Sequence, residues 1–235
     1  MNEKSPASKK NRDGLRLRAA QEALRLFEEQ GFENTSVDEI AQNSGVSRRT
    51  LFRQFGSKED IIFADHEMLL QEIIEHLHAD TTNPWDAVLD SARKVFDHFY
   101  RQQEFSQHRY RVVRAVPVLR AREIVTVFRY EQLYSEYLRG LLPESEHLRA
   151  IIFSSAITSS HNYILRKMLR DGGQTGHREL DETLNTVAKI FHIHGDAAPL
   201  IEAEHPAKRQ AKPSANTRGQ IFGQLHQLLE QLEQS

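Results

Sequence analysis

Apolar residues recur at intervals of three and four along almost the whole chain, and this helical period limits the possible folds more than any other feature. Glycine and proline interrupt the pattern. No segment longer than a few residues alternates apolar and polar side chains as a half-buried strand does. The sequence therefore predicts an all-α protein of separate helices joined by short turns.

The first helix is expected from Asp13 to about Gln30, because Gly31 is the type of residue that ends a helix. Residues 1–12 are rich in lysine, serine and asparagine, and we expect a flexible basic arm there. Such an arm could add phosphate or minor-groove contacts to DNA, although a solvated tail explains the same composition.

Two short helices separated by a glycine follow, with the spacing of a helix-turn-helix. Ser36 and Glu39 have the spacing of a capping box at the start of the second helix, and Ser47 is the expected N-cap of the third. Gly45 suits the turn because glycine adopts positive φ without steric cost. The residues expected to form the shared core are Ile40, Ala41, Val46 and Leu51.

The third predicted helix concentrates positive charge, although the whole chain has a formal net charge of −2. Arg48, Arg49, Thr50 and Arg53 would share its outward face, and no acidic residue lies between Gly45 and Lys58. Arginine can bind guanine O6 and N7 with two hydrogen bonds, so this face suits the major groove. An ordinary solvent-exposed helix could carry the same charges.

The segment from Leu15 to about Phe63 resembles the DNA-binding domain of the TetR family of transcriptional regulators. It departs from the family's usual pattern at Phe52, where tyrosine is frequent, and at Gln54, where histidine is frequent. The resemblance depends on many residues at fixed spacing. The matching motifs are Ala23-Leu24-Arg25-Leu26-Phe27, Gly31-Phe32, Thr35-Ser36-Val37, Ile40-Ala41, Gly45-Val46-Ser47, Leu51-Phe52 through Phe55, and Ser57-Lys58-Glu59-Asp60.

This resemblance implies an N-terminal DNA-binding domain at residues 13–60 that binds a double-stranded operator as part of a homodimer. Arg48, Arg49 and Thr50 would face the bases, and Lys58 would bind a phosphate from the start of a fourth helix that reaches about His78. Repression is the expected effect on transcription, because a protein seated on a promoter blocks polymerase. The full expected DNA-binding set is Ser36, Ser47, Arg48, Arg49, Thr50, Arg53 and Lys58.

A larger helical domain for effector binding and dimerisation is expected at residues 61–193. By resemblance, helices at about 145–170 and 177–191 would pair with their copies in a four-helix bundle, although an intrachain core explains some of the same apolar residues. The residues expected on this dimer surface are Ile151, Ile152, Ile157, Leu180, Leu184, Val187 and Ile190, with small residues among them at Ser154, Ser155, Ala156, Ser159 and Ser160.

The resemblance also implies a small-molecule effector that changes DNA affinity. Segment 107–122 has five arginines among apolar residues, which suits an anionic amphipathic molecule such as an acyl-CoA or an aromatic acid. Ion pairing of these arginines with Glu104 and Glu123 is the alternative. The candidate effector-binding residues are Phe99, Arg109, Tyr110, Arg114, Phe128, Tyr134, His161 and Asn162.

Several classes of function lack their sequence signals. The chain has no cysteine, no phosphate-binding glycine loop and no nucleophile or zinc-protease motif, so we predict neither an enzyme nor a metal or cofactor site. No segment suits a membrane span, and we expect a cytoplasmic protein. Residues 194–235 suggest a linker and an amphipathic helix at 217–233 that packs on the body or on a partner subunit.

Overall fold

The computed structural model describes residues 6–79 and 83–193, with side chains from residue 13 onward. Within these ranges every regular element is helical, which confirms the all-α prediction. The α-helices are α1 (Pro6–Gln30), α2 (Val37–Asn43), α3 (Arg48–Gln54), α4 (Ala64–Ala79), α5 (Pro84–Arg101), α6 (Gln103–Ala115), α7 (Pro117–Leu141), α8 (His147–Arg170) and α9 (His177–Ile190), with 3₁₀ turns at Ile61–Phe63 and Glu144–Glu146.

Three helix boundaries differ from the predicted ones. Helix α1 begins at Pro6 rather than Asp13, so residues 6–12 are helical and not an irregular arm. Helix α4 begins at Ala64 rather than Lys58, because Asp60 accepts hydrogen bonds from the Ser57 amide (2.8 Å) and hydroxyl (3.0 Å), and these hold a turn there. The apolar helical period of residues 84–116 predicts one continuous helix, whereas the structure has two, α5 and α6, which meet at Gln102.

The described residues divide into two compact units. Among the described residues, unit 1 contains 6–71 together with 102–126, so α6 and the first part of α7 belong with the helix-turn-helix. Among the described residues, unit 2 contains 72–79, 83–101 and 127–193. The predicted linker at 195–215 and terminal helix at 217–233 lie outside the described residues.

Unit 1 has a single apolar core that joins its helices. Phe27 and Phe32 pack edge to face with ring centroids 5.0 Å apart, where α1 ends and the chain turns toward α2. Ile40 from α2 and Leu51 from α3 are also buried in this core. Helix α6 adds Val112 and Val113 from its apolar side.

Unit 2 is organised around packed aromatic rings between α5, α8 and the end of α9. Trp85 packs edge to face on Phe153 at 5.0 Å between centroids, and Phe153 packs in turn on Phe191 at 5.4 Å. Arg149 lies over the Trp85 ring and donates to the Phe191 carbonyl oxygen. Across both described ranges, each helix falls short of the combined length and apolarity that crossing a membrane requires.

Candidate nucleic-acid interface

Helix α2 is held at its start by the predicted capping box. The Ser36 hydroxyl accepts a hydrogen bond from the Glu39 amide at 3.2 Å, and the Ser36 amide donates to the Glu39 carboxylate at 2.7 Å. The Ser36 hydroxyl also donates to the Glu39 carboxylate at 2.9 Å, and the bonds that the carboxylate accepts, first from the Ser36 amide and then from its hydroxyl, lower the pKa of Glu39. The capping box matters because a helix of seven residues is not stable alone in water.

The turn between α2 and α3 has the geometry that its glycine predicts. Gly45 has φ +68°, a left-handed conformation that costs an L-residue roughly 1–2 kcal/mol. The Val46 amide then donates to the Ala41 carbonyl at 2.9 Å, and the buried Ser44 hydroxyl donates to Ile40 at 2.6 Å. The backbone amides of Ser44, Gly45 and Val46 are therefore satisfied within the helix-turn-helix itself.

Helix α3 is anchored by one face and exposed on the other. Ser47 caps it by accepting from the Thr50 amide at 3.2 Å, and the two hydroxyls lie 2.8 Å apart. Leu51 is the buried residue of the helix, whereas Phe52 is 49% exposed. We call Arg48, Arg49, Phe52 and Arg53 the reading face, since all four are exposed.

The arginines of the reading face differ in their contacts. Arg48 donates from Nη1 to the Asp38 carboxylate at 2.8 Å, and its guanidinium lies 5.3 Å from the centroid of the Phe52 ring. Arg49 and Arg53 have no hydrogen-bond or ion-pair partner among the described residues. Asp38 was not singled out by the sequence, because ten positions separate it from Arg48 and only the fold brings the two together.

Lys58 has a different local role from the one expected. Its ammonium donates to the carbonyl oxygens of Phe32 (2.8 Å) and Thr35 (3.0 Å) and lies 3.9 Å from the Phe32 ring centroid. An ammonium has three donors, so these contacts leave one for a phosphate. Lys58 therefore links the turn after α3 to the segment between α1 and α2. Lys58 itself lies in this turn and not at the start of a helix.

Arg16 makes a second tie within unit 1. Its guanidinium donates to the Gln54 carbonyl at 3.3 Å, at the end of α3, and lies 5.4 Å from the Phe55 ring centroid. The positive charge of this part of α1 thus contributes to the position of α3.

Three of the five arginines in segment 107–122 form ion pairs within unit 1. Arg109 is buried and donates to Asp65 at 2.6 Å, and Arg122 pairs with Asp60 at 2.5 Å. Arg111 pairs with Glu28 at 3.6 Å. These three arginines therefore form contacts inside unit 1.

The candidate effector residues are distributed over both units. Arg109, Tyr110 and Arg114 belong to unit 1, where Arg114 donates to the Tyr110 hydroxyl at 3.2 Å. The others belong to unit 2: Phe99, Tyr134 and His161 are buried, Asn162 is half-buried and Phe128 is exposed. Neither unit by itself brings the whole set together.

Near the middle of helix α8, two neighbouring residues each have a side-chain polar atom that is buried without a hydrogen-bond partner in the described part of the chain. These are His161 Nε2 and Thr158 Oγ1, on residues one helical turn apart. The burial of His161 lowers its pKa to about 4, so its ring is neutral at pH 7. Burial also raises the pKa of Tyr134 on α7. Unpaired buried polar groups cost free energy, so they often indicate a bound water or ligand.

Helix α8 also presents an exposed apolar surface, which we call the α8 face. It consists of Leu148, Ile151, Ile152 and Tyr163, and the small Ser155 and Ser159 share its helical spacing. Ile190 at the end of α9 is exposed as well. The other large apolar residues expected on a dimer surface belong to the core of unit 2 instead, namely Ile157, Leu180, Leu184 and Val187.

Comparison with known proteins supports the assignment of the N-terminal domain. Residues 21–64 match the family model described as bacterial regulatory proteins, tetR family. This range contains α2, the turn at Gly45 and α3. The predicted resemblance to TetR-type DNA-binding domains is confirmed by this match.

Two named relatives match part of the chain. TcmR, an HTH-type transcriptional regulator of Streptomyces glaucescens, is 43% identical over 101 residues, which cover 39% of this chain and 45% of TcmR. MftR of Mycobacterium tuberculosis, named for regulation of mycofactocin biosynthesis, is 31% identical over 121 residues, covering 49% of this chain and 60% of MftR. The chain thus matches about half the length of these two relatives.

A crystal structure of a TetR-family regulator from Syntrophomonas wolfei has a similar fold. It superposes with a TM-score of 0.56 at 19% identity, over 75% of this chain and 94% of the other. At that identity the likeness describes the fold alone.

Proposed function

We propose that this chain, whose N-terminal domain belongs to the TetR family of bacterial regulatory proteins, is a transcriptional repressor that binds operator DNA as a homodimer and is released by a small-molecule effector. The observation that carries this proposal is the reading face, where Arg49 and Arg53 have no partner among the described residues. On the opposite side of α3, the buried Leu51 holds the helix in place. Such a face suits base edges in a major groove.

The DNA-binding role follows from the exposure of these cations on a short, capped helix. Because the helix is held by its buried side and by the Ser47 cap, its arginines could contact DNA without unfolding anything. Phosphate contacts would come from Lys58, through its remaining donor, and from the hydroxyls of Ser36 and Ser47 after exchange of their local hydrogen bonds. Thr50, half-buried beside Ser47, would lie at the edge of the contact.

The α8 face supports the homodimer. Four large apolar side chains exposed along one helix, with serines between them, form a surface that water solvates poorly and that a second copy could cover closely. A dimer is also what specificity requires, because one recognition helix reads only a few base pairs and two half-sites extend the sequence that is read.

The effector site that we propose lies in unit 2, where His161 and Thr158 keep unsatisfied buried polar atoms. An apolar molecule with one or two hydrogen-bonding groups would satisfy them. Arg109 was a candidate to bind an anionic effector, but its guanidinium is paired with the carboxylate of Asp65. The structure of unit 2 therefore favours an effector with neutral polar groups over an acyl-CoA or an aromatic acid.

The DNA-binding proposal is tested by selecting duplexes from a random-sequence library with the full chain. We expect enrichment of a two-fold symmetric sequence, and we expect its affinity to fall steeply as salt rises, because phosphate binding releases counterions. Retention of no duplex above background would reject the proposal.

The effector proposal has its own test, by isothermal titration of the full chain with matched ligands. A neutral amide or alcohol and the carboxylate of the same carbon skeleton would be compared, together with a medium-chain acyl-CoA. The neutral compound should bind best, and substitution of Thr158 by valine should weaken its binding. Preferential binding of the acyl-CoA would contradict the proposed chemistry.

A further inference from the structure

We propose that Asp38 is a positioning residue that holds Arg48 in place to recognise a guanine in each half-site of the operator. This inference rests on the DNA-binding function proposed above. The residues that carry it are Asp38 at the start of α2, Arg48 at the start of α3 and Phe52 one turn further along α3.

The geometry restrains the Arg48 guanidinium from two sides. Asp38 Oδ2 accepts from Arg48 Nη1 at 2.8 Å, and the Phe52 ring centroid lies 5.3 Å from the guanidinium carbon. A guanidinium favours contact with an aromatic face, so the ring limits its rotation while the carboxylate fixes one terminal nitrogen. An arginine side chain that is restrained before binding loses less conformational entropy when it meets a base.

The remaining donors of Arg48 are those that guanine needs. Among the described residues, Nε and Nη2 have no hydrogen-bond acceptor. These two nitrogens form one edge of the planar fork, and two parallel donors match the O6 and N7 acceptors of guanine. An adenine presents a donor at the position of O6, so the restrained fork discriminates against it.

The ion pair between Arg48 and Asp38 contributes little to the stability of the fold, so a role in DNA recognition explains it better. The side chains of Arg48 and Asp38 are 64% and 55% exposed, and ion pairs so exposed contribute little to stability. A carboxylate beside a face that meets phosphates also repels DNA. Asp38 does lie favourably in the first turn of α2, and that role would affect folding but not base preference.

Selection from a random-sequence duplex library by the full chain tests the proposal. The proteins to compare are the wild type, Asp38→Asn, Arg48→Met and the double variant. Glu33→Gln is the matched control, because it removes one exposed negative charge from unit 1 away from Arg48. Thermal unfolding of each protein establishes that it is folded under the selection conditions.

The wild type should enrich a symmetric site with one strongly preferred guanine in each half. Asp38→Asn should lower that guanine preference by about threefold, a size typical of losing an exposed ion pair, while its affinity for random-sequence DNA rises. Arg48→Met should abolish the preference at the same position. In the Arg48→Met background, the Asp38→Asn change should alter no base preference.

Three results would overturn the proposal. The first is that Asp38→Asn raises affinity for all duplexes as Glu33→Gln does and leaves the guanine preference intact. The second is that Asp38→Asn changes base preference even without Arg48, which would mean that Asp38 contacts a base itself. The third is that the wild type enriches no duplex. This result would reject the proposed DNA-binding function itself, and the selection with the wild type is sufficient to reveal it.

Discussion

Arg109 Nη1 on α6 and Asp65 Oδ1 on α4 lie 2.6 Å apart, with side chains only 8% and 2% exposed. Arg109 also donates to the Ile62 carbonyl at 3.3 Å. The pair fastens α6 to the segment that directly follows the helix-turn-helix, inside unit 1.

Breaking this pair should destabilise the protein strongly. Arg109→Met leaves the Asp65 carboxylate buried without its cation, and the free energy of unfolding should fall by about 3–5 kcal/mol in urea denaturation. Adding Asp65→Asn to that variant should restore a large part of the loss, because the uncompensated charge is then gone. A single variant as stable as the wild type would show that the pair is not buried in solution.

Arg49→Ala should weaken binding to the selected duplex while leaving the oligomeric state unchanged. Arg49 is exposed on the reading face and has no partner among the described residues, so its loss removes contact with DNA alone. We expect a loss of about 1–3 kcal/mol in fluorescence-anisotropy titrations. The control is Arg178→Ala on α9, another exposed arginine, which should bind as the wild type does. If Arg49→Ala and Arg178→Ala bound the selected duplex with equal affinity, the reading face would not be the surface that contacts DNA.

Local signals in the sequence were sufficient for the helix-turn-helix. The Ser36 and Glu39 capping box, the Gly45 turn and the Ser47 cap each depend on neighbours within a few residues, and all three are present as predicted. The same holds for the end of α1 at Gly31, which has φ +87°.

Contacts between residues distant in sequence could not be predicted in this way. The Arg109 pair with Asp65 and the Lys58 contact with the Phe32 carbonyl span 44 and 26 positions. The break at Gln102 also has no sequence signal, since neither glycine nor proline stands there. Apolar spacing on α8 and α9 could not tell core from interface, and Ile157 and Leu184 are core.

Ile152→Asp should convert the proposed dimer to a monomer. The side chain is 50% exposed on the α8 face, so the substitution leaves the core of unit 2 intact but places a charge in the middle of the contact. Sedimentation velocity at micromolar concentration is the measurement. The matched control is Ile124→Asp on α7, where the isoleucine is 67% exposed and lies in unit 1. A dimeric Ile152→Asp protein, or a monomeric Ile124→Asp protein, would argue against the α8 face.

The stability of the protein should decrease below about pH 6.5 in a manner that depends on His161. Burial lowers the pKa of His161 from 6.5 to about 4, so between these values the unfolded chain binds a proton that the folded chain does not. The free energy of unfolding therefore has its full value above pH 6.5, and it falls by up to about 3 kcal/mol as the pH approaches 4. The free energy of unfolding, measured by urea denaturation at several pH values in this range, should fall with decreasing pH more steeply for the wild type than for His161→Gln. Parallel curves would indicate a solvated His161.

Leu51 is the residue of helix α3 that is buried in the core of unit 1, whereas the four residues of the reading face are exposed. If the protein binds DNA as proposed, substitutions on the exposed side would change which duplex is preferred without disturbing how the domain folds. A gene duplicate of such a protein could acquire a different set of target promoters through a few surface changes, while Leu51 and the glycine turn stay as they are.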